Sequence, residues 1–149
     1  MVTTVGTENK LEDLLADLVR LEHDAVEAYD AAIERLENAS WRSSLIEFRR
    51  DHLRHIDELG EALSAMGRNP PQDGDMKSFL TQGKVVVAGL IGDTAILQAM
   101  KTNEDDTNKA YERGVQHRDA SLSLRAVLQR ALADERRHRG WMIEQIERA

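Results

Sequence analysis

Four stretches of this sequence repeat apolar residues with the period of a helix, and in each the apolar stripe is broken at mid-length by Glu or His. The sharpest case is Ala133-Asp134-Glu135-Arg136-Arg137-His138-Arg139-Gly140-Trp141. At about 100° per residue, Glu135 and His138 share the face that carries Leu124, Val127, Leu128, Ala131, Met142 and Ile146. A carboxylate inside a core stripe costs several kcal/mol unless it is paired, hydrogen-bonded or metal-bound. The fold must therefore bring something to it from the other helices.

The same break recurs along the chain. A first helical segment, 10–38, places Leu11, Leu14, Leu15 and Leu18, then Glu22, then Ala25, Val26, Tyr29, Ile33 and Leu36 on one face. Asn9 and Glu12 have the spacing of a capping box at its start, and Asp24 and Glu27 fall on other faces as ordinary solvated charges. A second segment, 41–66, capped by Ser40 and closed by Gly67, aligns Leu45, Phe48, His52, His55, Leu59, Ala62 and Met66. The break between them is short enough to force an antiparallel hairpin. A third segment, 94–113, closed by Gly114 as the residue after the helix, aligns Ile96 or Leu97 with Met100, Glu104, Thr107 and Tyr111. The last, 120–148, carries Glu135 and His138. His23 and His117 lie off the stripes and read as exposed.

Between the second and third segments stands the turn-rich run Asn69-Pro70-Pro71-Gln72-Asp73-Gly74. Asp75 then has the character of an N-cap for a shorter apolar helix over 76–90, weakened by Gly83 and Gly89, which can carry the chain along the bundle as a crossover. Charged residues make up 32% and aromatics 4%, with both prolines in one turn, which points to an all-α chain, and 149 residues make one domain over 1–149. There are no cysteines, so a metal could be held only by oxygen and imidazole nitrogen. A net charge of −7 and the lack of a basic face argue against nucleic-acid binding; the arginines around His138 read as a solvated face. The longest apolar run, Val85 to Gly92, is too short to cross a membrane, and the first seven residues do not have the pattern of a signal peptide. A cytoplasmic protein is the expectation.

Spacing exposes an internal repeat. Glu22 precedes Tyr29 by seven residues, as Glu104 precedes Tyr111. Glu22 to His55 spans 33 residues and Glu104 to His138 spans 34; Glu22 to His52 spans 30 and Glu104 to Glu135 spans 31. Two antiparallel hairpins related by a pseudo-twofold axis have this arithmetic, each offering one carboxylate and one i, i+3 pair.

These residues resemble the ferritin-like superfamily, the rubrerythrin and bacterioferritin relatives whose bundles hold two metals. Glu22 through Tyr29 resembles the first motif of that pattern, Glu104 through Tyr111 the third, and Glu135-x-x-His138 the fourth. The crossover helix and the run Asn103 to Tyr111 are also similar to an uncharacterised bacterial ferritin-like family of about this size. The resemblance covers nearly the whole chain. It implies an all-α, ferritin-like four-helix bundle of two antiparallel hairpins joined by a long crossover with a short fifth helix. It also implies two transition-metal ions, iron or manganese with zinc also fitting, held by Glu22, His52, His55, Glu104, Glu135 and His138.

One motif departs from the pattern, which has Glu-x-x-His where this chain has His52-x-x-His55. Three Glu against two divalent ions leave about one positive charge and one bridge fewer. Three remedies stay open: an exogenous hydroxide, oxo group or small anion, a carboxylate from Asp51, or a single tightly held metal. Tyr29 and Tyr111 read as packing residues with hydrogen-bonded hydroxyls that could serve as donors to the carboxylates. A metal-free alternative pairs Glu135 with His52 and Glu104 with His138 as a network that sets helix register.

If the metal is iron, the resemblance implies oxidation of Fe(II) by oxygen or peroxide, with an outside electron donor because no rubredoxin-like cysteines are present. A homodimer supported by the crossover helix is the expected assembly. Two rival readings are a non-enzymatic, stress-associated or partner-binding bundle and an iron-storage subunit.

Overall fold

The computed structural model describes residues 3–72 and 87–149, and among them the four interrupted stripes become four helices: α1 (Leu11–Arg35), α2 (Ala39–Ala65), α3 (Asp93–Val115) and α4 (Leu122–Arg148). No strand occurs among the described residues. The helices pack as two pairs, α1 with α2 and α3 with α4; the pairs meet through α1 against α3 and, more lightly, α2 against α4. The expected crossover helix over 76–90, with its Asp75 cap, lies almost wholly outside the described residues. Among those residues no helix is long and apolar enough to cross a membrane.

The buried apolar residues fall into two clusters rather than one. At one end Leu14, Leu15, Leu18, Leu59, Leu63 and Leu128 close on each other. At the other end Ala32, Leu45, Phe48, Ile96, Leu97 and Met100 do the same. Between them lies a layer in which Glu22, His52, His55, Glu104, Glu135 and His138 are all buried. The apolar ends hold the bundle shut and keep water from the layer, which is how packing positions the site.

Helix ends differ from the sequence expectation where polar side chains intervene. At the start of α1 the cap is Lys10, without a side-chain hydrogen bond, so the Asn9–Glu12 capping box does not form. α1 stops at Arg35 rather than Asn38, because Leu36 turns extended (φ −65°, ψ 131°) to make the tight link. α2 starts at Ala39 with Asn38, not Ser40, as its cap, the Asn38 side chain accepting from the Trp41 N–H at 3.0 Å. Met66, expected in the α2 stripe, is exposed beyond the helix end, and Leu63 fills the core instead. α3 spans 93–115 rather than 94–113, and Gly114 lies inside it. A side chain there would stand 3.7–3.9 Å from Leu14, Leu18 and Leu128, so Gly114 marks a close approach of three helices and not a helix stop. α4 starts at Leu122, capped by Ser121.

The link between α1 and α2 is tied to the start of α3. Both carboxylate oxygens of Asp93 accept backbone N–H groups, from Glu37 at 2.9 Å and Asn38 at 2.8 Å. Each charge-assisted bond of this kind contributes about 1 kcal/mol in a partly exposed setting. Asp93→Ala should therefore lower unfolding free energy by about 1–2 kcal/mol in urea titration. Hydrogen exchange at the Glu37 and Asn38 amides should accelerate while the mid-helix amides stay protected; unchanged exchange at those two amides would refute the tie.

Candidate metal centre

Each helix delivers its polar residues to the central layer from the middle of its buried face. α1 supplies Glu22, α2 His52 and His55, α3 Glu104, and α4 Glu135 and His138. The layer contains two overlapping groups able to hold a metal ion, Glu22, His52, His55 and Glu135 on one side and His52, Glu104, Glu135 and His138 on the other. Within each group the ligand atoms lie no more than 4.8 Å apart. His52 and Glu135 belong to both. The six candidate positions read from the stripes are thus brought together.

Distances inside the groups are short and similar. The His55 Nδ1 lies 3.4 Å from Glu22 Oε2 and 3.3 Å from Glu135 Oε1. The His138 Nδ1 lies 3.5 Å from Glu104 Oε1 and 3.6 Å from Glu135 Oε2. The His52 Nδ1 stands 2.7 Å from Glu22 Oε2 and 3.4 Å from Glu135 Oε1, while its Nε2 stands 3.3 Å from Glu104 Oε1. The two pairs of the metal-free alternative, His52 with Glu135 and Glu104 with His138, stand at 3.4 and 3.5 Å, longer than ordinary hydrogen bonds.

Outward of this layer, two aspartates orient two of the histidines. Asp51 Oδ2 accepts from His138 Nε2 at 2.8 Å, and Asp134 Oδ2 accepts from His55 Nε2 at 3.0 Å. A carboxylate only accepts, so both Nε2 atoms carry hydrogen and both Nδ1 atoms are turned inward. Asp51 and Asp134 are held in turn by Arg137 and Arg54. Asp51 therefore orients His138 and does not supply the missing carboxylate to the layer. Asp134 was missed from the sequence, although a signal was present: it precedes Glu135 as Asp51 precedes His52, so the repeat extends to Asp-His-x-x-His and Asp-Glu-x-x-His.

On the other side, hydroxyls orient the carboxylates. Tyr29 donates to Glu104, Tyr111 donates to Glu22 Oε1 at 2.9 Å, and Thr107 donates to Glu135 Oε2 at 3.0 Å. The two tyrosines cross between hairpins, each reaching the carboxylate of the opposite half. Asn108 adds bonds to the Glu104 and Glu135 carbonyls at 2.7 and 3.1 Å. Despite this, of the four buried side-chain atoms without a hydrogen-bond partner among the described residues, three belong to the layer, His55 Nδ1, His138 Nδ1 and Glu135 Oε1; the fourth is Asp24 Oδ1. The first three point into the layer.

Electrostatics follow from burial among opposite charges. Burial pushes the Glu22 carboxyl up, but His52 and His55 outweigh it and hold the group well below the usual carboxylate range. Glu104, likewise buried, is held low by hydrogen bonds from His138 and His52. Glu135 goes the other way, pushed up to about 7 by burial and by the Glu104 charge. Burial disfavours charge on His55, but Glu22 and Asp134 push it up to about 11; Asp51 and Glu104 push buried His138 up to about 10.

Three residues off the layer need correction. His117 is buried, not exposed, bonded to the Asn9 carbonyl at 3.1 Å and accepting the Asp119 N–H at 3.1 Å. His23 is half-buried. Asp24 is half-buried too, and burial with Glu27 and Asp106 nearby pushes its carboxyl up to about 7, so it is no ordinary solvated charge.

A protein family described as Domain of unknown function (DUF2383) matches residues 10–117. The chain belongs to the DUF2383 family. No curated protein and no solved structure matches it. The DUF2383 match takes in α1, α2 and α3, with Glu22, His52, His55 and Glu104, and stops before α4. Glu135 and His138 therefore enter this DUF2383 chain's central layer from a helix beyond the matched residues.

Because His55 and His138 hold their protons through neutral pH, a metal ion can take a ring nitrogen only by displacing a proton. Raised histidine values mean that protons compete most strongly at low pH and release the site as pH rises toward about 10. Zinc affinity measured against a competing chelator should climb steadily from about pH 6 to about pH 9, with protons released on binding. A flat profile would show that these nitrogens are not where metal binds.

Proposed function

We propose that this DUF2383 protein is a ferritin-like metal-binding protein whose bundle core holds two transition-metal ions, iron or manganese with zinc also fitting. Its ligands on this reading are Glu22, His52, His55, Glu104, Glu135 and His138. The observation that carries it is the set of three buried ligand atoms without a hydrogen-bond partner, His55 Nδ1, His138 Nδ1 and Glu135 Oε1, all turned into the central layer and distributed over its two ligand groups. A buried polar atom without a partner is costly, about 1–3 kcal/mol each, and a cation in each of the two ligand groups would satisfy all three. The spacing supports the same reading. Four donors around one ion at about 2.0–2.1 Å lie about 3.3–3.4 Å from each other when arranged tetrahedrally. Most of the contacts here run from 3.3 to 3.6 Å.

On this reading the chain's residues divide the work. Glu22 with His55 and Glu104 with His138 form the two ends of the centre, and Glu135 reaches toward both with its separate oxygens. Asp51 and Asp134 fix the ring orientation and keep the inward nitrogens available; Tyr29, Tyr111 and Thr107 hold the carboxylates in place. The two apolar clusters exclude bulk water. An iron pair would supply one-electron redox chemistry toward oxygen or peroxide, oxidising Fe(II) or reducing peroxide. Electrons would come from an outside donor, since the chain has no cysteine to hold a second redox centre. A cytoplasmic homodimer completes this reading.

One observation favours a second reading, a metal-free polar core that sets helix register. His52 Nδ1 already lies 2.7 Å from Glu22, and the histidines and carboxylates nearly balance in charge. Elemental analysis of protein grown with iron and manganese both available separates the two readings. About two ions per chain, lost in Glu104→Ala and Glu135→Ala, supports the metal centre; a folded parent with no metal would move the assignment to the polar core. Asp51→Asn and Asp134→Asn, which leave all six ligands intact, should each weaken metal binding by about 10–100-fold in chelator competition. Unchanged affinity in both would remove the orienting role of the aspartates.

A further inference from the structure

The three histidines of the central layer are not equivalent. His55 and His138 each turn one nitrogen outward to an aspartate and one inward. His52 turns both nitrogens inward, Nδ1 to the group containing Glu22 and Glu135, and Nε2 to the group containing Glu104. It is fully buried, and it is the one imidazole shared by both ligand groups. The Tyr29 ring packs on it at a centroid distance of 4.8 Å, and the His55 and His138 rings stand 5.7 and 5.2 Å away, so its ring plane is set from several sides.

We propose that His52 binds both metal ions at once, through Nδ1 to the ion held by Glu22, His55 and Glu135 and through Nε2 to the ion held by Glu104, Glu135 and His138. The inference rests on the metal-centre reading above and adds the identity of its second bridge. Each ion then has four protein donors, two nitrogens and two oxygens. The ends mirror each other: one private Glu, one private His, and the shared His52 and Glu135.

Charge supports the bridge independently of geometry. Three carboxylates leave about one positive charge uncompensated against two divalent ions in a layer sealed from water, and an uncompensated buried charge is costly. An imidazole with a metal on each nitrogen has given both ring protons to solvent and carries one negative charge. With His52 in that form, three carboxylates and one imidazolate balance two divalent ions. No exogenous anion is then required, and His52 restores the balance that a bridging carboxylate at this position would have provided.

The two kinds of bridge differ in the separation they set. Metal–nitrogen bonds of about 2.1 Å on opposite sides of an imidazole ring put the ions about 6 Å apart, whereas two-metal centres of the closely bridged kind hold them about 3.5–4 Å apart. Anomalous diffraction from crystals of the full chain loaded with Co(II) reads that separation directly. The expected result is two peaks about 6 Å apart with the His52 ring between them. In solution, elemental analysis after gel filtration should find two ions in the parent and one or none in His52→Gln. His52→Glu should retain two, drawn in to about 3.5–4 Å in crystals of that variant.

Peaks about 3.5–4 Å apart in the parent, a single peak, or two ions retained by His52→Gln would overturn the bridge. Two ions bound without His52 between them would still leave the metal-centre reading standing, whereas no bound ion would remove both. Should His52→Gln fail to fold, the parent diffraction alone decides.

Discussion

Burying six ionisable side chains in one layer is the constraint on which the rest of this structure depends. Three carboxylates and three imidazoles at mid-bundle would each be expensive alone, and none has water to fall back on. The bundle answers by symmetry, each half presenting a carboxylate to its own histidines and a tyrosine to the carboxylate of the other half. It also answers by segregation, with one apolar cluster on each side of the layer. Hydrophobic burial at the two ends supplies the stability that the middle cannot.

That arrangement links the weakest seam to the chemistry. Of the four helix pairs that pack, α2 and α4 touch most lightly, yet they carry the two i, i+3 pairs and the Asp–His bonds that cross between them. Polar groups cross that contact beside the Phe48 ring, which packs on His138 and Trp141: Asp51 to His138, Asp134 to His55, and Arg54 and Arg137 bridging to the same aspartates. In tightly packed pairs such as α1 with α2, side-chain interdigitation fixes the spacing. Along the α2–α4 seam, directional hydrogen bonds fix it, and ring orientation follows from the same bonds.

His52 is where the chain departs from the symmetry of its own repeat. Its counterpart in α4 is Glu135, a carboxylate with two oxygens that can face two places. An imidazole also has two donors on opposite edges, so His52 can satisfy the same topological demand with a longer reach. The metal-free network and the metal centre use the same atoms, because a proton or a cation can each sit between a nitrogen and a carboxylate oxygen. Which occupies the layer is a matter of competition between protons and metal.

Periodicity alone placed Glu22, His52, His55, Glu104, Glu135 and His138 on buried faces, because a 3.6-residue repeat assigns every position to a side of its helix. The spacings of the two halves, matched to within one residue, likewise implied paired hairpins. Helix ends were less legible: Asn38 rather than Ser40 caps α2, and Gly114 lies within α3, since those outcomes depend on what the neighbouring helices contact. Asp134 was missed and His117 misread for the same reason: one flanks the α4 stripe and the other lies in the link after α3, where sequence does not say whether another element covers it. The sequence by itself determined which residues face inward, a property of one helix and its period. Only the tertiary structure decided which atoms meet, that His52 aims both nitrogens at the layer and that three ligand atoms are left without partners, because those depend on the rotation and separation of helices distant in sequence.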